Sequence, residues 1–127
     1  MSAVAAEDAT IVINNAGAST GHSLLAMSLD EVRAAYETNV FGPIAVAQAF
    51  APVLAKNGGG ALVDIHSALS WLARPGVCPS TKAALWSVTN TLRLELAAQG
   101  TQVLGVHMAY VDMPMGSSAN FVVADCR

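Results

Sequence analysis

Short apolar runs alternate with long amphipathic segments along this chain, and this alternation predicts its fold class. The run ATIVI (Ala9–Ile13) is β-branched and ends in NNAG, which predicts a buried strand followed by a turn. The run ALVDIHS (Ala61–Ser67) predicts a second strand, and TQVLGVHM (101–108) predicts a third. Because a helix between two strands returns the chain to the same end of a sheet, these strands should run parallel in an α/β fold.

Two long helices are predicted between these strands. The first runs from Ser28 to Lys56 and begins with Ser28 and Glu31 at the spacing of a capping box. Pro43 lies inside it and predicts a kink or a break, because proline lacks a backbone donor. The second helix runs from about Pro79 to Gln99 and ends at a glycine. The tail GSSANFVVADCR is the candidate for a fourth, short strand.

Composition limits the class of protein and its partners. The chain of 127 residues is 54% hydrophobic and 12% charged, which predicts one globular domain over residues 1–127 and excludes disorder. Its net charge of −3 offers no basic surface to nucleic acid or to an anionic membrane. Small-molecule or protein partners remain.

Neither a membrane span nor a targeting segment is predicted. The apolar run Val40–Ala55 is interrupted by prolines and is shorter than the roughly 18 to 20 apolar residues that a span needs. The N-terminus has no basic region followed by an apolar one, so we expect a cytoplasmic protein. Cys78 and Cys126 have neither metal-ligand nor redox-motif spacing, so we expect free thiols and no metal site.

Polar residues collect where the first two predicted strands end. In an open parallel sheet the ligand crevice lies beyond the carboxyl ends of the strands. Asn14 and its neighbours end the first strand, and His66 and Ser67 end the second. Lys82 opens the next helix at the same edge, although a cation is mildly unfavourable at a helix N-terminus. We therefore expect Lys82 to be kept there as a donor to a ligand.

These residues resemble the motifs of the short-chain dehydrogenase/reductase family. The resemblance rests on INNAG after a strand, TNVFG within a helix, a serine at the end of the next strand, and STKAALWSVTNTLRLELAAQGTQVLGVH beginning a helix with lysine. It extends from about Ala9 to Met115 and implies a partial, doubly wound, Rossmann-like sheet of three to four strands with two long helices. It also implies an NAD(P)-dependent oxidoreductase of alcohols or carbonyls.

The resemblance implies roles for individual residues. Asn39 would hold a proton-relay water, and Ser67 would position the substrate oxygen. Lys82 would bind the nicotinamide ribose and lower the pKa of a catalytic tyrosine. The cofactor-binding positions implied in this way are Asn14, Ala16, Gly17, Lys82 and Val111. Without the resemblance, Asn14 would be a turn residue, Asn39 a solvated helix residue and Ser67 an ordinary strand-end hydroxyl.

The sequence departs from the family pattern at several positions. Cys78 stands where the family has its tyrosine, four residues before the lysine, and the serine-to-lysine separation is two residues shorter. Met108 and Ala109 replace a Pro-Gly pair, and Met113 replaces a threonine. The glycine-rich, phosphate-binding half that precedes this region in the family has no counterpart in these residues. We therefore expect ordinary turnover to be weak or absent, and neither Tyr36 nor Tyr110 is placed in the sequence to substitute.

Two other functions remain open. A small ester or lactone hydrolase would use Ser67 or Cys78 as nucleophile, with His66 or His22 as base and Asp64 orienting His66 from the same strand face. No G-x-S-x-G motif surrounds Ser67 or Cys78. The other alternative is a non-catalytic binding or assembly module. Three strands and two helices can bury only part of such an apolar chain. We therefore expect a homo-oligomer, formed through the long helices or by strand exchange between chains.

Overall fold

The computed structural model of the protein describes residues 6–15, 17 and 22–108. Its strands are β1 (Ile11–Asn14), β2 (Ala61–Ser67) and β3 (Gln102–Met108). They form one parallel sheet in the order β1-β2-β3. The predicted fold class is confirmed, with β1 displaced from the predicted Ala9–Ile13. The candidate fourth strand in the tail falls outside the described residues.

The first predicted helix consists of three consecutive segments. They are α1 (Leu29–Tyr36), a π-helical segment (Glu37–Phe41) and α2 (Gly42–Lys56). The capping box is confirmed: the Ser28 hydroxyl accepts from the Glu31 N–H, and the Glu31 carboxylate accepts from the Ser28 N–H at 2.8 Å. The predicted break near Pro43 is the π segment, since Pro43 is the second residue of α2 and cannot donate to the carbonyl of Asn39 four residues before it.

The second predicted helix is α3 (Cys78–Glu95), which continues into a short 3₁₀ turn (Ala97–Gln99). Gly100 ends it with φ of +75°, a conformation that glycine adopts without a steric cost. A second 3₁₀ turn (Ala68–Ser70) follows β2.

Both long helices pack on the same face of the sheet. The core there is built from Val12, Leu62 and Val103, which are aligned across the three strands, together with Phe50 and Leu54 of α2. Towards the carboxyl ends of the strands this face becomes polar. Asn14, Asp64 and Gly105 form the next aligned row, and His66 lies beside His107 in the row after that.

The opposite face of the sheet is open in the described part of the chain. Ile11 and Ile13 of β1 are 63% and 62% exposed, and Leu104 and Val106 of β3 are each 43% exposed. The described residues place no helix on this face. The second layer of helices that a doubly wound sheet carries is therefore not formed within them.

By length and composition alone, the run Leu29–Lys56 is apolar enough to cross a membrane. In the structure, Ala47, Phe50 and Leu54 from this run are buried against the sheet. Burial in a protein core accounts for their apolar character.

Candidate active site

Lys82 lies near the start of α3 and is only 4% exposed. Burial lowers the pKa of its ammonium group, because the charged form loses water. The ion pairs in the described part of the chain are His22 with Glu31 and Arg33 with Asp30, so neither provides Lys82 with a counter-charge. Keeping a cation here costs free energy, which is typical of a group retained for a ligand.

Asn39 is buried in the π segment and faces the first turns of α3. Its Nδ2 donates to Thr81 Oγ1 at 3.0 Å, and Thr81 Oγ1 donates to the carbonyl of Cys78 at 2.8 Å. The π conformation is defined by a hydrogen bond from the Gly42 N–H to the carbonyl of Glu37, five residues earlier. Short π segments are frequent at functional sites. Asn39 therefore contacts α3 at Thr81, the residue that precedes Lys82.

Ser67 ends β2, and its loop folds back onto α3. The Ser67 hydroxyl accepts a hydrogen bond from the Leu69 N–H at 3.1 Å and so begins the 3₁₀ turn. At the end of that turn, Ser70 Oγ donates to the carbonyl of Lys82 at 3.3 Å. The structure thus gathers the π segment, the loop after Ser67 and the start of α3 at the carboxyl edge of the sheet.

A buried network of polar side chains lies on the helix-covered face behind this edge. Asp64 is fully buried; its Oδ1 accepts from Asn14 Nδ2 at 2.8 Å, and its Oδ2 accepts from Thr89 Oγ1 at 2.7 Å. His66 Nε2 lies 2.9 Å from the same Thr89 oxygen. Since a hydroxyl has one proton, His66 Nε2–H donates to Thr89, which donates to Asp64. Asn14 therefore binds a structural carboxylate in this network.

His66 is held neutral in this network. Burial, and to a smaller extent the neighbouring His107, together lower the pKa of His66 to about 4. Asp64 and His66 share a face of β2, as predicted. Both form hydrogen bonds with Thr89 of α3. Ser67 lies on the other face of the strand, so the geometry does not favour a Ser67–His66 nucleophile and base.

Cys78 corrects one sequence expectation. Its sulfur is disulfide-bonded, whereas the sequence predicted a free thiol. The expectation rested on the number and spacing of the cysteines, and spacing along the chain does not show what lies next to the Cys78 sulfur in the fold. A disulfide-bonded sulfur offers no thiolate to a substrate.

Tyr36 is also separated from Lys82. Its hydroxyl donates to Ser80 Oγ at 2.9 Å. Ser80 precedes Lys82 by two residues, which is about 200° around a helix, so Tyr36 meets the opposite side of α3. Tyr110, Ala16 and Val111 lie outside the described residues, and Gly17 is partly buried outside any helix or strand.

Sequence reasoning missed the two threonines that organise the site. Thr81 and Thr89 are both fully buried. The signal was present for Thr89, because it lies seven residues after Lys82 and therefore on the same helix face. Among residues 6–15, 17 and 22–108, no group of three or more His, Cys, Asp or Glu side chains could hold a metal ion.

Comparisons with known proteins identify relatives of this chain. Residues 4–121 match the family model described as short chain dehydrogenase. A short-chain dehydrogenase of Talaromyces islandicus is 38% identical over 112 residues, which are 87% of this chain and 39% of the relative. An NADPH-dependent 1-acyldihydroxyacetone phosphate reductase of Schizosaccharomyces pombe is 30% identical over 90% of this chain and 40% of the relative.

Solved structures show the same likeness. A short-chain dehydrogenase of Burkholderia cenocepacia in complex with NADP matches with a TM-score of 0.81 and 33% identity, covering 92% of this chain and 50% of that one. A gluconate 5-dehydrogenase from the same organism, in complex with NADP and tartrate, matches with a TM-score of 0.75 and 33% identity over 81% of this chain and 41% of that one. The chain spans about half the length, or less, of the proteins it matches.

Proposed function

The chain belongs to the short-chain dehydrogenase family, and from this premise we propose that it binds the nicotinamide end of NAD or NADP at the carboxyl edge of its sheet. The single observation that carries the proposal is the buried side chain of Lys82, at the start of a helix that binds Asn39 through Thr81 and Ser70 through the Lys82 carbonyl. Ribose hydroxyls and a carbonyl oxygen are the kinds of acceptor that such a group is suited to bind. The relatives solved with NADP support a nicotinamide cofactor.

The described residues fit the ribose and substrate end of such a cofactor. When bound, nicotinamide supplies or accepts a hydride at a substrate carbon. Lys82 would donate to the ribose hydroxyls, and Ser67 Oγ, which accepts from the Leu69 N–H, would donate its own proton to the substrate oxygen. Asn39 would hold a water beside Lys82. The substrate would be a small alcohol or carbonyl compound.

Turnover needs a proton donor beside the substrate oxygen. The position that the family resemblance assigns to this donor is Cys78, and a disulfide-bonded sulfur has no proton to give. We therefore propose a chain that binds the cofactor and reduces carbonyls weakly or not at all. Rapid consumption of NADPH with a panel of aldehydes and ketones would contradict this.

A second candidate is a non-catalytic assembly module. The open apolar face formed by Ile11, Ile13, Leu104 and Val106 favours it, because exposed patches of this kind are typical of interaction surfaces.

A titration with NADH and NADPH tests the proposed function, on a sample whose oligomer mass has been determined. Saturable change in nucleotide fluorescence is expected for the wild type, with a loss of at least tenfold in affinity for Lys82→Met. Lys56→Met is the control, since Lys56 is exposed in the last turn of α2. No binding at millimolar nucleotide would overturn the proposal and leave the assembly module.

A further inference from the structure

Four aromatic side chains cluster beside Lys82. His66 and His107 stack with ring centroids 4.8 Å apart, and His107 and Trp71 stack at 4.2 Å. The interplanar angles are 22° and 26°, so the three rings form a column in the order His66, His107, Trp71. The proposed cofactor site uses none of these rings.

Trp86 stands against the side of this column. Its ring is nearly perpendicular to those of Trp71 and His107, with centroids 5.7 Å and 6.3 Å away. If Trp86 covered the outer face of Trp71, its distance from His107 would approach the sum of the Trp71–His107 and Trp71–Trp86 separations. It is much shorter, so Trp86 leaves the outer face of Trp71 uncovered.

Trp71 therefore ends the column, and none of the described aromatic rings covers its outer face. It is 55% exposed, and Trp86 beside it is 37% exposed. Exposing two tryptophans costs hydrophobic free energy that burial elsewhere would recover. An aromatic ring placed on Trp71 would extend the column by one member and meet Trp86 along its edge, which is the offset and edge-to-face geometry that aromatic rings prefer.

The two tryptophans lie near residues of the proposed cofactor site in the sequence. Trp71 directly follows Ser70, whose hydroxyl binds the Lys82 carbonyl, and Trp86 lies one helical turn after Lys82. The loop that carries Trp71 begins at Ser67. The Ser67 side chain itself lies on the face of β2 opposite to His66.

We propose that the corner formed by Trp71 and Trp86 binds a planar aromatic ring. Binding of the ring does not rest on the proposed function. Aliphatic carbonyl compounds of the same size lack the flat π-face and should bind far more weakly.

Nuclear magnetic resonance offers a direct test, because the chain has two tryptophans and both belong to the corner. The two indole N–H signals of the ¹⁵N-labelled full chain are followed during titration with acetophenone and, separately, with cyclohexyl methyl ketone. The two ketones share their carbon skeleton and differ in ring saturation. Saturable shifts of both indole signals are expected with acetophenone, with at least tenfold weaker binding of the cyclohexyl compound.

Variants separate stacking from other causes. Trp71→Leu should lose acetophenone binding by at least tenfold, whereas Trp71→Phe should keep most of it by restoring a flat ring. Leu94→Ala is the control, since Leu94 is 80% exposed elsewhere on α3. Folding of each variant is checked by circular dichroism, and the Phe variant keeps the test valid if the Leu variant unfolds.

Equal affinity for the two ketones, or full binding by the Leu variant, would overturn the proposal. Either result would leave nucleotide binding untouched. If the chain bound acetophenone but not NADPH, the cofactor proposal would be overturned and the aromatic site would stand.

Discussion

At the scale of single residues, the described core holds an uncompensated cation. The lowered pKa of Lys82 means that its charged form is less stable in the folded chain than in water. Below the folded pKa this penalty is fully present, and it is relieved as pH rises towards the ordinary value near 10.5. Function and stability therefore make opposite demands at this position.

Lys82→Met should stabilise the fold while removing nucleotide binding. Methionine fills a similar volume without a charge, so the free energy of unfolding at pH 7 should rise by about 1 kcal/mol or more. Urea denaturation measures it, and Lys56→Met, at an exposed position, should stay within about 0.5 kcal/mol of the wild type. A less stable Lys82→Met protein would show that the ammonium has a stabilising partner.

His66 makes stability depend on pH in the acidic range. Its pKa is about 4 in the folded chain and 6.5 without the fold, so the unfolded chain binds the extra proton first as pH falls. Stability is complete above about pH 6.5 and is lost progressively down to about pH 4. The difference corresponds to a loss on the order of 3 kcal/mol.

Thermal unfolding between pH 7 and pH 4 checks this expectation. His66→Gln should be less stable than the wild type at pH 7, yet should lose less stability on acidification, because glutamine can donate to Thr89 and does not titrate. His22→Gln removes an exposed histidine and should keep the wild-type slope. Parallel pH curves for wild type and His66→Gln would contradict the assignment.

At the scale of elements, β3 and α3 fit together around the His66 ring. Gly105 of β3 lies opposite Asp64 of β2. A Cβ added at Gly105 would lie 2.6 Å from Cδ2 and 2.7 Å from Nε2 of His66. The ring cannot move aside, since Thr89 binds it at one edge and His107 stacks on its face. The absence of a side chain at Gly105 therefore makes room for the polar network.

Gly105→Ala should destabilise the chain by about 2 kcal/mol through this overpacking. Gly42→Ala is the matched control: its added Cβ would meet nothing closer than 3.4 Å, and alanine favours a helix by about 1 kcal/mol over glycine. Thermal unfolding of the two variants should therefore show opposite shifts. A neutral Gly105→Ala would mean that His66 is free to move.

At the scale of the whole molecule, the sheet is covered on one face and open on the other. Ile13 and Leu104 lie on the open face, and β1 and β3 each have one edge unpaired within the described residues. A surface of this kind drives association. We expect the purified chain to form oligomers through this face.

Light scattering after size-exclusion chromatography measures the mass against 13.0 kDa for one chain. Ile13→Lys should shift the protein towards the monomer, because a charge in the contact would lose its water. Leu94→Lys places the same charge at an 80% exposed position on α3 and should leave the mass unchanged. A monomeric wild type, or dissociation by Leu94→Lys alone, would contradict association through the sheet.

The sequence by itself determined the parallel α/β order, the capping box at Ser28 and the break near Pro43. These features follow from local periodicity, capping chemistry and the missing donor of proline, which depend on neighbours along the chain. The sequence also indicated that Asn14, Ser67 and Lys82 belong to one edge of the sheet, because parallel strands end together.

Only the tertiary structure decided what surrounds those residues. Thr89 joins Asp64 to His66 across 25 and 23 positions of sequence, and Trp71 stacks on His107 although they are distant in the chain. It also showed that Cys78 is disulfide-bonded, against the expectation from spacing. Such contacts are set by how helices and strands pack, so periodicity along the chain carries no record of them.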